Sequence, residues 1–561
     1  MSPASSSDDF TSGRPLFASR EIQALADSAG PLAAWRQLLS QGDLRAALAS
    51  TGGSFALGLT LADGRRLLAV DRFSVEKLCY RLDQGQLSFH PRADHWLSQG
   101  DARLSAQSLY EYLYFHVVAS PHTVFEGVSR LPAAHYALFQ NGQLQVQPYW
   151  TPAFQPARGA SFASLKSELL TALEGAVRDQ LEPGGQPACF LSGGIDSSTV
   201  AGMMGRVSGR KVATYSIGFD AEGYDEMAYA RLAAKHFGCE PHEYYVTPDD
   251  LLKGMHKIAE HYDQPFGNSS ALPAYYCALM AREQGVTRLL AGDGGDELFG
   301  GNARYAKQKL FAIYDRVPGW LKAGLEPLLL NPLAARTPLL SKAGSYVSQA
   351  RVPLPDRTQT YNLLSFQGVD KLLAPEFLAA VAIDGPLQQQ REVWAQIAAS
   401  HVVDHQLAFD WYYTLAETDL PKVCGATTMA GVSTGFPMLD LRLLEVSLKL
   451  KPEDKVKGQQ LRWFFKEALR GFLPDEIIVK KKQGFGLPFG VWTKNHDGLN
   501  RMARDNLASL DQRGILRRGF SKTLMDELLP AHPGYYGELV WILLMLEQWL
   551  QAKLPAYRFQ A

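Results

Sequence analysis

The chain has 561 residues, enough for two or more domains that each bury a core. It is 46% hydrophobic and 20% charged, as globular proteins are, and its net charge of −1 supplies no basic field for nucleic acid. Its five cysteines are widely spaced with no Cys-x-x-Cys pair, which argues against a disulfide scaffold or zinc site and for reduced thiols in a cytoplasm.

The first sixteen residues are rich in Ser, Asp, Gly and Pro and lack an apolar segment, so a frayed tail is expected there, not a signal peptide. Residues 44–150 read as β-rich: 54–61 and 66–70 flank Ala-Asp-Gly, and a similar pair flanks Asn141-Gly142, both hairpin signals. A Pro/Gly/Ser stretch over 151–164 reads as a linker. Strands and helices then alternate: helix 165–181, strand 188–191, helix 197–207, strand 212–217, a helix and strand 288–291. That order predicts an α/β domain with a parallel sheet and ligands at the strands' C-terminal ends. Residues 310–561 read as mainly helical and close on an aromatic-rich amphipathic segment over 535–551. The apolar run Leu539–Leu546 is too short to span a bilayer and reads as a buried helix.

Strand 188–191 ends in Ser192-Gly193-Gly194-Ile195-Asp196-Ser197-Ser198. The glycines let a ligand approach the main chain, the serines add hydroxyl donors, and the helix start offers unpaired N–H groups. Such a loop suits a polyanion, and Asp196 among the donors calls for an accompanying cation, so the expectation is nucleotide phosphate with Mg²⁺. The string resembles the pyrophosphate loop of ATP pyrophosphatases. Gly-x-x-x-x-Gly-Lys-Ser/Thr is absent, which removes the P-loop alternative. After strand 288–291 comes Gly-Asp-Gly-Gly-Asp-Glu-Leu-Phe-Gly-Gly over 292–301, a poor core and a good site. If both loops face one crevice, Asp196 and Asp296 share the Mg²⁺ through hard oxygen ligands, and Asp293 is the residue placed to touch substrate.

Together with Ser-Ile-Gly-Phe-Asp (216–220), Tyr-Asp-Glu (224–226), Asp-Gln-Pro-Phe-Gly-Asn-Ser-Ser (263–270) and Lys-Gln-Gly-Phe-Gly-Leu-Pro (482–488), these motifs resemble the asparagine synthetase family. The likeness extends through Asp71-Arg72-Phe73, residues 123–132 and Tyr149-Trp150. It implies a class II glutaminase-like, Ntn-hydrolase-like β-sandwich over 1–150. It also implies a doubly wound, parallel-sheet ATP-pyrophosphatase domain of the adenine nucleotide α-hydrolase kind, with a helical extension, over 165–561. The implied reaction activates a carboxylate as an acyl-adenylate, releasing pyrophosphate, and an amine or ammonia then displaces AMP. By resemblance Leu191 and Ile217 line the adenosine pocket, Ala291 and Gly292 contact the nucleotide, and Asp196 and Asp296 hold Mg²⁺. Asp293 takes the acidic position tied to adenylate formation and amine attack, and Lys482 faces the phosphates. A positioned cation there stabilises charge moving onto pyrophosphate. Lys480 and Lys481 read as surface charges.

The chain departs from the family in two places. Glutamine-hydrolysing members open on Met-Cys, whereas this chain opens Met1-Ser2-Pro3 and its first cysteine is Cys79. His-Arg-Gly-Pro-Asp and Asn-Gly-Glu are absent, and Gly52 stands where an acid is expected. The N-terminal domain is therefore expected to be degenerate, without a glutaminase nucleophile. In the acceptor region, charged pairs have become Cys424-Gly425 and Ser433-Thr434-Gly435, which predicts a substrate other than aspartate. Branches with inert glutaminase domains are alternatives: β-lactam synthetases place Tyr where Asp293 stands, and lasso-peptide cyclases are not excluded. A non-catalytic nucleotide-binding module is opposed by Asp196, Asp296 and Lys482, and a tRNA-modifying pyrophosphatase by the neutral charge. The expected partners are ATP, a small-molecule or peptide carboxylate and an amine or ammonia, with no nucleic acid or membrane. A homodimer is left open.

Overall fold

Two hairpins build the N-terminal sheet where the turn residues place them. In a computed structural model that describes residues 9–560 apart from 101–102, 222, 332–336, 483 and 485, strands β2 (Gly52–Thr60) and β3 (Arg66–Val70) pair antiparallel, with Thr60 opposite Arg66. Strands β7 (His135–Gln140) and β8 (Gln143–Pro148) are joined by Asn141 and Gly142, at φ 51° and 77°. Positive φ at both central residues is what a type I′ two-residue hairpin turn requires. The expected frayed tail is corrected by strand β1 (Phe10–Leu16), which pairs with β2 along its whole length. Its sequence, Phe-Thr-Ser-Gly-Arg-Pro-Leu, is polar because it is an edge strand with little to bury. Residues 1–8 lie outside the described part.

The resulting sheet, ordered β1-β2-β3-β7-β8, is covered on both faces. Successive residues of a strand point to opposite sides, and Leu67 and Leu68 take one side each. Leu67 joins Phe55 and Leu57 beneath helices α1 (Arg20–Ala29), α2 (Pro31–Ser40) and α3 (Leu44–Ser50), where Trp35 is fully buried. Leu68 joins Ala56 and Val70 against Phe89. Phe89 belongs to a second, three-stranded sheet of β4 (Cys79–Asp83), β5 (Gln86–His90) and β6 (Val128–Arg130). Helix α4 (Ala106–Phe115) lies between β5 and β6 in the chain.

The second half is organised by a five-stranded sheet that is parallel throughout. Its strands are β9 (Ala188–Phe190), β10 (Ala213–Phe219), β11 (Glu240–Val246), β12 (Arg288–Leu290) and β13 (Ser433–Gly435), ordered β11-β10-β9-β12-β13. Helices α5 (Phe162–Gln180), α6 (Ile195–Ser208) and α7 (Met227–Phe237) share a core with Cys189, Leu191 and Leu290. Helices α8 (Pro248–His261) and α9 (Ala271–Glu283) share another with Ala188, Ala213, Tyr215 and Leu289. The chain leaves β9 and β12 toward opposite edges, so a crevice opens between their C-terminal ends.

The last helix, Pro533–Lys553, buries every residue from Leu539 to Leu550, as expected for 539–546, but lacks the amphipathic pattern expected over 535–551. It packs against α8 and against the helices Phe489–Asn495 and Asp497–Asp511. Burying each of its Leu, Ile and Met side chains contributes roughly 1.5–3 kcal/mol. Among the described residues no helix is long and apolar enough to cross a membrane. The two halves share an apolar core in which Leu109 and Phe125 join Trp549, and polar contacts add to it: the Tyr112 hydroxyl donates to the Ile542 carbonyl at 2.8 Å, and Lys77 Nζ to the Ala416 carbonyl at 2.7 Å. The stretch read as a linker is docked, with the Gln155 and Ala157 amides donating to the Leu448 and Lys449 carbonyls at 3.0 and 2.9 Å.

Candidate active site

The loops after β9 and β12 interlock because glycine leaves them room. Gly193 sits at φ 71°, with the Ala230 amide nitrogen 2.4 Å from where a Cβ would project, so only glycine can make this turn. At Gly295 a Cβ would meet Asp196 Oδ1 at 2.2 Å, which lets the second loop close over the carboxylate of the first. The turn is held from within: Ser192 Oγ lies 3.0 Å from Ser197 Oγ, and the Ser192 amide donates to Ser197 Oγ at 3.2 Å. Helix α6 then starts at Gly194 without a side-chain cap, leaving its first N–H groups available to a ligand.

A cavity of about 660 Å³ opens at these strand ends. Leu191, Ser192, Gly194, Asp196, Ser197, Ile217, Gly292, Asp293, Asp296 and Lys482 all line it. Gly193, Ser198 and Ala291 do not: Gly193 serves the turn, Ser198 is fully buried inside α6, and the Ala291 amide donates to the Gly435 carbonyl at 2.9 Å. Lys480, read from sequence as a surface charge, lines the cavity and pairs with Glu226 at 2.6 Å. Gln483 and Phe485 of the 482–488 motif lie outside the described residues.

Arg462 joins the two acidic loops. Its Nη1 lies 2.6 Å from Asp196 Oδ2 and 2.8 Å from Asp296 Oδ1, and Lys482 pairs with Asp296 from the other side. Burial pushes the Asp196 carboxyl up to about 6 against the pull of Arg462, with Asp296 adding to the rise. Burial also works on Asp296, but Arg462 and Lys482 together hold it below the ordinary carboxylate value. Asp196 Oδ1 is buried without a hydrogen-bond partner, an oxygen that a cation would satisfy. The two carboxylates therefore suit one Mg²⁺ completed by phosphate oxygens and water.

A second charged group lines the same cavity. Lys422 Nζ stands 3.5 Å from Asp293 Oδ1 and 3.2 Å from Asp419 Oδ1. Burial raises the Asp293 pKa, with Lys422 opposing the rise. Burial likewise works against the Lys422 charge, but Asp419 and Asp293 hold its pKa above the ordinary lysine value. Asp419 ends a π-helical segment, Trp411–Asp419, whose Thr414 and Thr418 also line the wall. Such wide turns recur at functional sites.

Arg462, Lys422 and Asp419 are not among the residues expected from sequence. Arg462 sits at φ 54° in Gln-Gln-Leu-Arg, and Lys422 stands between a proline and a valine, so neither carries a local motif. Conversely, Cys424-Gly425 and Ser433-Thr434-Gly435 do not line the cavity. Gly425 faces the Tyr262 hydroxyl, with 2.4 Å from that oxygen to its ideal Cβ, and 433–435 is the edge strand β13. These substitutions give no account of acceptor choice.

Residues 168–551 match the asparagine synthase family model, and residues 35–150 match that of the glutamine amidotransferase domain. Asparagine synthetase [glutamine-hydrolyzing] 1 of Bacillus subtilis is 25% identical over 86% of this chain and 74% of its own length. A putative asparagine synthetase [glutamine-hydrolyzing] of Mycobacterium bovis is 24% identical over 70% of this chain, which spans 60% of that protein. Amidase chyE of Penicillium rubens is 27% identical over 78% of this chain and 70% of its own length.

Proposed function

The chain belongs to the asparagine synthase family of ATP-dependent carbon–nitrogen ligases, and we propose that it activates a carboxylate as an acyl-adenylate and passes the acyl group to ammonia or an amine without hydrolysing glutamine. What carries the proposal is the convergence of Ser192, Ser197, Asp196, Asp296, Arg462 and Lys482 on one cavity that also holds Asp293. Leu191 and Ile217 offer an apolar wall for adenine, and the Ser192 and Ser197 hydroxyls with the start of α6 face the phosphates. A carboxylate oxygen of the substrate bonds to the α-phosphorus while the bond from that phosphorus to the bridging oxygen breaks, and pyrophosphate leaves. Asp196 and Asp296 would hold Mg²⁺, whose chemistry is to neutralise charge on the departing pyrophosphate. Lys482 and Arg462 add fixed positive charge on the same side.

In the second half-reaction the amine nitrogen bonds to the acyl carbon, the acyl–phosphate oxygen bond breaks, and AMP departs. The attacking nitrogen must shed a proton. Asp293 is the acceptor: its raised pKa makes it a stronger base than an exposed aspartate, and Lys422 keeps it ionised until the proton arrives. Cys79, the first cysteine, is fully buried in β4 with its thiol pushed up to about 12, which removes it as a nucleophile at neutral pH. Chromatography of the nucleotide products tests the proposal. Carboxylate-dependent turnover should give AMP and pyrophosphate in equal amounts, and ADP with phosphate would reject it.

A further inference from the structure

Glu538 and His116 line the cavity, have no side-chain partner among the described residues, and take no part in the chemistry above. Glu538, on the last helix, has no ion pair or hydrogen bond among the described residues, and burial alone pushes its carboxyl up to about 7. The nearby Tyr112 hydroxyl is already committed to the Ile542 carbonyl. His116, at the end of α4, contributes an imidazole whose Nε2 is buried without a hydrogen bond. Its backbone is in the left-handed region, at φ 66° and ψ 7°, as the residue that caps the helix. That conformation caps α4, the His116 amide donating to the Tyr112 carbonyl at 2.7 Å, and it turns the chain so that the unsatisfied ring nitrogen is left for a ligand to satisfy.

The two groups approach from different halves of the molecule. Tyr112, one turn before His116, touches Ile542, one turn after Glu538, so α4 and the last helix bring both residues to the seam of the domains. The His116 carbonyl also accepts the Gly267 amide at 2.8 Å, which fixes the ring's backbone beside Asn268 of the same wall. Phe115 and Tyr224 add apolar surface to the cavity.

We propose that Glu538 and His116 form a recognition subsite for an organic amine, held through its ammonium group, at the seam of the N-terminal domain and the last helix. A lone carboxyl on the cavity wall selects a cation. A neutral imidazole accepts one ammonium N–H, burial having lowered its pKa to about 4. The aromatic surface beside them is matched by carbon and not by ammonia. The subsite rests on the ligase proposal only for its role as the acceptor end of the cavity.

The test uses the full-length protein with Mg²⁺ and α,β-methylene-ATP, titrated calorimetrically with n-butylammonium chloride and, separately, with ammonium chloride at equal ionic strength. n-Butylammonium should bind at least about tenfold tighter than ammonium, and Glu538→Gln should remove that margin. His116→Gly should weaken n-butylammonium severalfold while leaving the melting temperature unchanged or higher, because glycine suits φ 66°. A merely structural histidine would not part affinity from stability in this way. Equal affinity for the two cations, or wild-type affinity in both variants, overturns the subsite. Pyrophosphate exchange measured in parallel separates the two proposals: its absence with amine binding intact rejects the ligase chemistry alone.

Discussion

Asp196 and Asp296, in the segments that follow strands β9 and β12, meet on one guanidinium: Arg462 Nη1 stands 2.6 Å from the first carboxylate and 2.8 Å from the second. Without that cation two enclosed carboxylates would repel across a low-dielectric gap, so the protein carries its own counter-charge where a phosphate-bound metal is expected.

Arg462→Gln should therefore destabilise the ligand-free protein by about 3–5 kcal/mol, the usual cost of breaking a buried ion pair from one side. Thermal melts with and without MgATP check this. The variant should gain more from MgATP than the wild type does, and an equal gain would mean the two carboxylates do not share a cation.

Asp196 ties stability to pH. With its carboxyl pushed up to about 6, the folded chain keeps a proton between pH 4 and 6 that the unfolded chain has already lost. Stability therefore falls as pH rises through that window, and the full cost, on the order of 3 kcal/mol, is present above it. Asp196→Asn should melt higher than the wild type at pH 8 in the absence of ligand and match it near pH 4, while losing pyrophosphate exchange. An unaltered pH dependence would show that the aspartate is ionised without penalty.

Asp293 and Lys422 separate the two half-reactions. Asp293→Asn should leave adenylation within a few-fold of wild type and slow amide formation about 100-fold, the lower range for a lost general base. Because the Asp293 pKa is raised, amide formation should fall as pH drops through that value. Lys422→Met removes the charge that restrains the rise and should move the fall to higher pH. Pyrophosphate exchange and amide release, measured separately across pH 5–9, distinguish these outcomes. Equal losses in both half-reactions would take Asp293 out of the role of base.

Ammonium or an amine should support turnover where glutamine does not, and Cys79→Ser should leave that turnover unchanged. Glutamate released from glutamine in step with AMP would restore a glutaminase function to the N-terminal domain.

Much of the site was legible because its chemistry is local in the chain. The glycine, serine and acid clusters at 192–198 and 292–301 sit directly after short apolar strands, and the parallel sheet brings both loops to one edge. The rest depends on contacts between distant segments. Lys422 and Glu538 occupy helical stretches with ordinary patterning, and Arg462 acts through a left-handed backbone that no neighbouring residue announces. Strands β1 and β11 escaped notice because edge strands keep polar residues: Glu-Pro-His-Glu-Tyr-Tyr-Val carries little alternation to read. The substitutions at 424–435 misled for the converse reason, since a change of charge in sequence does not say which wall a residue faces.

Oxygen-isotope transfer tests acyl-adenylate formation most directly. A panel of carboxylates labelled with ¹⁸O is turned over with ATP and ammonium or n-butylamine, and the AMP is examined by mass spectrometry. An acyl-adenylate requires one carboxylate oxygen to leave with AMP, so each AMP formed should carry one ¹⁸O from the substrate that supports turnover. Unlabelled AMP, or label found in inorganic phosphate, would contradict it.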